Sequence, residues 1–280
     1  MPLAPTYFRQ RSRTFPVPFV TTSGRTTRGQ WRSRGGRRAK MGWRPVDRAQ
    51  KEITVTLELP LPYLYRTADP AVSSPWLLVL MHGIGSNEQD LFGLAPSVPP
   101  QFHVLSLRAP NVLGPASYAW FMFGVRPGGE RAIDEVQEAA SRELAELAVE
   151  AAGRQLAVPA DRVVVGGFSQ GGIMSLTLLL TRPQLLQAAL VMHSRLLPEV
   201  LPMVASPGEL RGRRLWVSHG TADTVIPLAN ARDIRERVAP WPIELSYAEF
   251  PGGHEIRPAE LSAAMDWLRA LTQDSAERED

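Results

Sequence analysis

The 280-residue sequence contains no cysteine and no long apolar run. Without cysteine the chain can form no disulfide, has no thiol nucleophile and cannot build a cysteine-ligated zinc or iron–sulfur site. No uninterrupted apolar stretch approaches the roughly 18–20 residues that cross a bilayer. We therefore expect a cytoplasmic protein with no membrane span.

Acidic side chains are nearly missing from the first 50 residues, which contain twelve Lys or Arg and one acid, Asp47. Residues 51–280 hold the other 19 basic side chains and 27 acids. The net charge of +3 is therefore a balance between a basic segment and an acidic remainder. For this reason we expect no nucleic-acid partner by default.

Residues 1–50 are rich in Arg, Ser, Thr and Gly and lack an apolar period, which predicts a disordered extension. Residues 14–20 are too short and too rich in proline for a secretory signal, and no apolar stretch follows Arg37 and Arg38 as twin-arginine export requires. A mitochondrial transit peptide fits the composition but lacks an amphipathic helix. A nucleic-acid-binding tail, or an extension upstream of a protein that starts at Met41, stays open.

Residues 51–280 are interpreted as a single α/β domain. Residues 53–59 alternate apolar and polar side chains and, with residues 63–66, predict an antiparallel hairpin at a sheet edge. Further strands, mostly short and apolar as in a sheet buried on both faces, are predicted at residues 76–81, 102–107, 162–165, 188–192, 214–218 and 243–247.

Helical patterns separate these strands. The clearest covers residues 130–152, and Gly153 predicts its end. Its apolar side chains recur at three- and four-residue steps and predict one buried stripe: Ile133, Val136, Ala140, Leu144, Leu147, Ala148 and Ala151. Other helices are expected near residues 88–95, 170–181, 228–238 and 258–271. The alternation predicts a mostly parallel sheet with helices on both faces.

A G-x-S-x-G motif centred on Ser169 follows the predicted strand 162–165 and precedes the predicted helix 170–181. Strand, sharp turn and helix are the context of a nucleophile elbow, in which small flanking residues let strand and helix approach. A serine hydroxyl needs a base to act as a nucleophile at neutral pH. The competing interpretation is a glycine-rich turn with an incidental serine.

The base and its acid are sought among five histidines and the acids that follow the later strands. The order Ser, Asp, His of such hydrolases favours Asp223 and His254, each after a predicted strand. His103 lies inside a strand, His219 shares a loop with Asp223, and His193 precedes the acid. We interpret these three as packing, turn-stabilising and pocket-bordering residues.

A glycine-rich loop at residues 81–86 follows another strand and predicts the oxyanion side of the site. We assign the backbone N–H groups of Ile84 and Gln170 as its donors, and His82 as a residue that orients the loop. The aromatic residues at 118–123 predict a pocket wall that includes Tyr118, Trp120 and Phe121, although they could equally pack the loop against the domain.

Six segments together resemble one known family, the carboxylesterase/phospholipase family of α/β-hydrolases, which is related to acyl-protein thioesterases. They are residues 80–90, 108–111, 118–120, 167–172, 219–223 and 252–254, and the resemblance spans about residues 52–271. It implies an α/β-hydrolase fold, with Ser169 as nucleophile, His254 as base, Asp223 as its acid, and Ile84 and Gln170 as oxyanion donors. One position departs, because His193 stands where a small residue is usual.

We therefore expect a carboxylic ester hydrolase that needs no metal and no organic cofactor. Its substrate would be a small-molecule ester of small to medium acyl chain, with His193 narrowing the pocket, and a homodimer is the candidate assembly. An acyl thioesterase or a lysophospholipase with the same triad is an alternative. An alternative of another class is a non-catalytic scaffold whose basic tail binds nucleic acid.

Overall fold

The computed structural model describes residues 56–125 and 131–279. Residues 1–50, for which the sequence predicts a disordered extension, lie outside that range, and so do residues 53–55 of the expected hairpin. The boundary of the catalytic domain near residue 51 therefore stays a prediction.

Eleven strands lie in the described part of the chain, and most of them coincide with predicted strands. They are β1 Tyr63–Arg66, β2 Trp76–Met81, β3 Phe102–Leu107, β4 Asn111–Gly114, β5 Ser117–Ala119, β6 Phe123–Val125, β7 Arg131–Ile133, β8 Val163–Phe168, β9 Ala188–Met192, β10 Arg214–Gly220 and β11 Glu244–Phe250. The pairs β4–β5 and β6–β7 form two small antiparallel sheets that the sequence did not predict.

The α-helices are α1 Glu88–Phe92, α2 Glu135–Gln155, α3 Gln170–Thr181, α4 Pro207–Leu210, α5 Ala229–Val238 and α6 Pro258–Glu279. Seven strands form the main sheet in the order β1-β3-β2-β8-β9-β10-β11. Six of these strands are parallel, and β1 alone runs antiparallel to its neighbour within the described chain. The predicted mostly parallel sheet, with an antiparallel strand at its N-terminal side, is confirmed.

The partner of the antiparallel edge strand differs from the expected one. Strand β1 pairs with β3, with Tyr63 opposite Leu107 and Arg66 opposite Val104, and residues 56–59 form no strand. Those residues contact the edge through Tyr63 instead, whose hydroxyl accepts a hydrogen bond from the Leu57 N–H at 2.7 Å. The alternating pattern at residues 56–59 therefore reflects an extended segment that lies beside the sheet.

The sheet is buried on both faces, which explains the continuous apolar runs of its central strands. In β2, Leu77, Val79 and Met81 belong to a core that includes side chains of α2, α3 and α5. Trp76, Leu78 and Leu80 point to the other face, where side chains of α1 and α6 complete a second core. Because alternate residues of a strand face opposite sides, two covered faces require an apolar residue at every position.

Helix α2 differs from its prediction in its bounds and in the side chains that it buries. It begins at Glu135, five residues after the predicted start at residue 130, and Asp134 caps it by accepting a hydrogen bond from the Gln137 N–H at 3.0 Å. Gly153 lies inside the helix rather than ending it. The buried face consists mainly of small residues, Ser141, Ala145, Ala148 and Ala152, whereas Val136, Ala140 and Leu147 are exposed. Side-chain size thus determines which face of α2 is buried, because small residues let the helix approach the core closely.

The same substitution at two positions of α2 tests this assignment. Ala148→Leu adds three carbons to a fully buried site and should lower the free energy of unfolding by about 1–3 kcal/mol. Ala140→Leu adds them to an exposed site and should change it by less than about 0.5 kcal/mol. Urea unfolding followed by circular dichroism measures both. Equal losses would mean that the two residues share one face, as the apolar spacing alone predicts.

Candidate active site

Ser169 lies on the turn between β8 and α3, in a conformation that few residues other than glycine adopt. Its φ is 55° and its ψ is −117°, and such a backbone costs on the order of 1–3 kcal/mol. Ser169 occupies the N-cap position of α3, where a serine hydroxyl ordinarily bonds the first turn. Here the hydroxyl makes no capping hydrogen bond. The turn therefore leaves Oγ available for chemistry.

Two glycines make this turn possible. A β-carbon on Gly167 would lie 2.2 Å from the carbonyl carbon of Gly171, and one on Gly171 would lie 1.8 Å from the carbonyl oxygen of Met81. Backbone atoms of β2, β8 and α3 therefore meet where no side chain fits. The Ser169 N–H is fixed in turn by the carbonyl of Met192, at 2.9 Å.

The loop after β2 lies beside the serine. A β-carbon on Gly83 would be 3.4 Å from the Ser169 Cβ. The Gly85 N–H donates to the Tyr118 carbonyl at 2.8 Å, and the Ser86 N–H donates to the Gly83 carbonyl at 3.2 Å. Ile84 thus stands in a tight turn that is anchored on both sides next to the serine.

His82 holds this loop in place through hydrogen bonds of its ring. It is fully buried, accepts a hydrogen bond from the Ala109 N–H at Nε2, and lies 2.8 Å from the Gly83 carbonyl through Nδ1. Because Nε2 accepts and a carbonyl can only accept, Nδ1 carries the single proton. Burial lowers the pKa of His82 and keeps the ring neutral. Its position matches the orienting role assigned from the sequence.

The side chain of Gln170 connects the serine turn to the aromatic segment. Its Oε1 accepts from the Trp120 N–H at 2.8 Å, and its Nε2 donates to the Phe121 carbonyl at 2.6 Å. Trp120 also donates from Nε1 to the His82 carbonyl at 2.9 Å. The loop after β2, the start of α3 and the segment after β5 are therefore held together as one unit.

Asp223 lies in the turn after β10, and its two carboxylate oxygens have different partners. Oδ1 accepts from the backbone N–H groups of Val225 and Ile226, both at 2.9 Å. Oδ2 lies 2.6 Å from Nδ1 of His254. Burial alone would raise the pKa of Asp223, but hydrogen bonds from His254, Ile226 and His193 outweigh it and lower that pKa. The carboxylate is thus ionised at neutral pH.

His254 lies in the loop after β11 and is less buried than the other histidines around Asp223. Its side chain is 14% exposed, against 1% for His193 and 0% for His219. The ring of Phe168, the residue before Ser169, packs against its ring with centroids 4.7 Å apart. Of the predicted triad, Asp223 and His254 are in direct contact, and Phe168 connects His254 to the serine turn.

Gly220 allows the loops that carry Asp223 and His254 to meet. A β-carbon on Gly220 would lie 2.3 Å from the Gly253 carbonyl oxygen and 2.7 Å from that of Gly252. The Ala222 N–H donates to the Gly252 carbonyl at 2.8 Å and so ties the two loops. The acid and the histidine are therefore positioned by backbone contact between their loops.

The four residues predicted for the pocket wall occupy different environments. Tyr118 is half-buried, whereas Trp120, Phe121 and His193 are exposed by 1% or less. Their neighbours Met122 and Phe123 keep 37% and 39% of their surface exposed. The burial of Trp120 and Phe121 favours the alternative in which these two rings pack the loop against the domain.

Sequence reasoning missed two partners of the Asp223 region, Glu260 and Ser218. His193 places Nδ1 3.1 Å from Asp223 Oδ2 and Nε2 3.1 Å from Glu260 Oε2. Ser218 donates to Glu260 Oε1 at 2.7 Å. His219 donates from Nε2 to the Ile226 carbonyl at 2.7 Å, in keeping with a turn-stabilising role. The unusual residue type at His193 was the signal, whereas Glu260 resembles any acid in the first turn of a helix.

Within the described residues, one group offers side-chain atoms of the kind that bind metal ions. In His193, Asp223 and His254 these atoms all lie within 4.8 Å of one another. Both histidines direct Nδ1 at the same oxygen of Asp223, at 3.1 and 2.6 Å, which are hydrogen-bond distances. Hydrogen bonds account for this arrangement, and we assign no metal ligand here.

A surface groove lies at the other end of the central strands. It has a volume of about 590 Å³ and is lined by the C-terminal part of α2, the segment after it and the start of β8, with Val149, Gly153, Val158 and Val163 among its residues. Since Ser169 follows the carboxyl end of β8, the groove is remote from the serine. No helix of the described chain is long and apolar enough to cross a membrane.

The sheet order, the helices on both faces and the serine at a strand–turn–helix elbow define an α/β-hydrolase fold. The chain belongs to the phospholipase/carboxylesterase family, whose sequence pattern matches residues 65–272. This match confirms the family that the sequence resembles.

Solved structures share the fold. The carboxylesterase of Bacillus cereus superposes with a TM-score of 0.64 at 22% identity, over 76% of this chain and 95% of that one. The esterase PE8 gives a TM-score of 0.59 at 23% identity, over 77% of this chain and all of the other.

Curated relatives match by sequence. Acyl-protein thioesterase 1 of Neurospora crassa is 32% identical over 114 residues, which are 40% of this chain and 46% of that protein. The chain thus spans about half the length of this thioesterase. The putative hydrolase MhqD of Bacillus subtilis is 25% identical over 198 residues, 69% of this chain and 92% of that protein.

The contact between the two loops gives a test of the site geometry. Gly220→Ala should cost about 1–3 kcal/mol of folding stability, because backbone oxygens occupy the space of the new methyl group. The matched control is Gly208→Ala in α4, where the nearest atom would be 3.9 Å away and no loss is expected. Proton NMR should also show the downfield His254 Nδ1–H signal displaced in Gly220→Ala only. An unperturbed signal in a stable Gly220→Ala protein would contradict the close approach of the loops.

Proposed function

We propose that the protein is a serine hydrolase that cleaves carboxylic esters of small to medium acyl chain through an acyl-enzyme. Ser169 is the nucleophile, His254 the general base and Asp223 the acid that orients it. The observation that carries the proposal is the 2.6 Å hydrogen bond between Asp223 and His254, on loops at the carboxyl ends of β10 and β11. Ser169 follows the same end of β8, which is where such folds bind substrates.

In the first half of the reaction His254 takes the proton of Ser169 Oγ through Nε2 while Oγ attacks the ester carbonyl. This assignment follows from the hydrogen bonds of the ring, because Nδ1 is held by Asp223 and carries a proton. The ionised Asp223 stabilises the imidazolium that forms. His254 then protonates the departing alcohol, and the acyl group stays on Ser169.

The negative charge on the carbonyl oxygen is received by the N–H groups of Ile84 and Gln170. Gln170 is the first residue of α3, so its N–H points out of the helix at its positive end. Ile84 is held beside the serine by the turn from Gly83 to Ser86. A backbone donor of this kind is worth on the order of 3 kcal/mol in the transition state.

In the second half, water replaces the alcohol. His254 takes a proton from the water while the water oxygen attacks the acyl carbonyl. It then returns the proton to Ser169 Oγ as the carboxylic acid product is released. None of these steps uses a metal or an organic cofactor, and the substrate is a small-molecule ester. An apolar acyl group is supported by Ile84, in the loop beside Ser169, and by Met122 and Phe123, in the segment after β5, which keep 37% to 41% of their surface exposed.

An acyl thioesterase is the second candidate, and the acyl-protein thioesterases that match by sequence favour it. The same residues would attack a thioester carbonyl, so the site does not distinguish the two leaving groups. A lysophospholipase would also use this triad. Rates on a panel of short esters, acyl thioesters and lysophospholipids separate the three.

Replacement of the proposed nucleophile tests the reaction class. Ser169→Ala should lower kcat/KM for p-nitrophenyl butyrate by roughly four orders of magnitude, since no acyl-enzyme can form. Ser97→Ala, at an exposed serine outside the site, is the matched control and should keep wild-type activity. Ester hydrolysis by Ser169→Ala at a rate close to that of the wild type would refute the assignment.

A further inference from the structure

A buried cluster of titratable side chains stands behind Asp223, and the proposed reaction does not use it directly. His193 and Glu260 are each 1% exposed, and Ser218 is fully buried. His193 lies between the two carboxylates, with Nδ1 3.1 Å from Asp223 Oδ2 and Nε2 3.1 Å from Glu260 Oε2. Ser218 holds the other oxygen of Glu260 at 2.7 Å.

The hydrogen bonds of this cluster indicate whether His193 is neutral or protonated. An ionised carboxylate only accepts hydrogen bonds, and a neutral imidazole has one N–H to donate. A neutral His193 could therefore satisfy only one of its two contacts, whereas the imidazolium satisfies both. Asp223 is ionised because Val225, Ile226 and His254 all donate to it. Glu260 lies in the first turn of α6, and its other carboxylate oxygen accepts from Ser218.

We infer that His193 is an imidazolium that clamps the carboxylate of Asp223 against Glu260, and that it serves as a positioning residue for the proposed triad. The inference rests on the proposed function. His193 and His254 both bond the same oxygen, Oδ2, while the N–H groups of Val225 and Ile226 hold Oδ1. The carboxylate is thus fixed in rotation, and its geometry toward His254 does not depend on substrate.

The negative charge of Glu260 offsets the positive charge of His193. A lone imidazolium beside Asp223 would compete with the charge that develops on His254, whose ring centroid is 5.7 Å from that of His193. Glu260 neutralises His193, so Asp223 keeps its negative charge for His254. With His254 also protonated, the two carboxylates and two imidazoliums sum to zero, which suits a buried site.

The backbone of His193 is adapted to this position. Its φ is 49°, in the left-handed region that histidine tolerates better than most residues. Its N–H donates to the Ser218 carbonyl at 2.9 Å, and its ring is enclosed by those of Phe168, His219 and His254. The conformation turns the side chain toward Glu260 and Asp223, which explains why His193 is buried rather than part of a pocket wall.

The charged and titratable groups that face His193 come from three elements packed around it. They are His219 and Asp223 on and after β10, His254 after β11, and Glu260 on α6. Burial by itself lowers the pKa of His193, but the hydrogen bonds and charges of Glu260 and Asp223 outweigh burial and raise it. His219 stays neutral, because burial lowers its pKa and its Nε2–H is bound to Ile226.

The sign of the pH dependence follows. His193 is charged below its raised pKa, so the clamp is present at pH values below that pKa and is lost as the pH rises through it. Glu260→Gln keeps the shape of the side chain but removes its negative charge. His193 should therefore lose its proton, and the clamp with it, at a lower pH. Asp266→Asn on the same helix, at an exposed acid paired with Arg269, is the matched control.

Two measurements on the full-length protein test the inference. The first is ¹⁵N-edited NMR of the imidazole rings at neutral pH, with His193 assigned from the signals lost in His193→Asn. Asparagine suits the positive φ, so this variant should fold. Both ring nitrogens of His193 should carry protons in the wild type, and Glu260→Gln should lose one of these protons. A neutral His193 with one N–H in the wild type would overturn the inference.

The second measurement is the pH profile of kcat for p-nitrophenyl butyrate. Glu260→Gln should lower kcat at mildly alkaline pH by roughly tenfold, with KM little changed, and move the alkaline limb to lower pH. Asp266→Asn should superimpose on the wild type. A Glu260→Gln profile that superimposes on the wild type would overturn the positioning role. If the wild type itself hydrolyses no ester, the proposed function fails and the positioning role with it, whereas the NMR result still reports the charge of His193.

Discussion

The carboxylate of Asp223 is the constraint on which the site depends. One of its oxygens receives two backbone N–H groups, from Val225 and Ile226, and the other receives His254 at 2.6 Å and His193 at 3.1 Å. A buried carboxylate with so many donors must be ionised and cannot rotate. It therefore fixes the tautomer and orientation of His254, which is what a general base beside a weak nucleophile requires.

Close backbone packing brings Ser169 and the loops of Asp223 and His254, the residues of the proposed triad, to one end of the sheet. Gly171 lets α3 start against the end of β2, and Gly220 lets the loop after β10 meet the loop after β11. Ser169 is held in a strained conformation at the first of these junctions, with its N–H bonded to Met192. The sheet that carries this turn packs against a core on each of its faces, and this packing holds Ser169 in the strained conformation.

The central strands, the serine turn and the placement of Asp223 and His254 could be predicted from the sequence, because short sequence patterns determine them. Continuous apolar runs identified the buried strands β2 and β9, and the glycines around Ser169 identified the turn. The order of Asp223 and His254 after successive strands pointed to the same edge of the sheet. These features follow from side-chain alternation and from steric limits on the backbone, which one sequence displays directly.

Other features depend on contacts between distant residues, and the sequence does not display them. The buried face of α2 is set by the size of Ala145 and Ala148 against their neighbours, so apolar spacing predicted Ala148 correctly but also included Val136 and Leu147, which are exposed. The pairing of β1 with β3 joins residues about 40 positions apart. Glu260 lies 67 residues from His193, and only the packing of α6 beside β9 and β10 brings them together.

The most direct test of the Ser169–His254–Asp223 assignment is covalent labelling by a fluorophosphonate, read by peptide mass spectrometry. The label should appear on Ser169, and its rate of attachment should fall by orders of magnitude in His254→Ala and Asp223→Asn, because both variants remove the activation of the hydroxyl. A label on another residue, or a labelling rate that is unchanged in His254→Ala, would contradict the proposed triad.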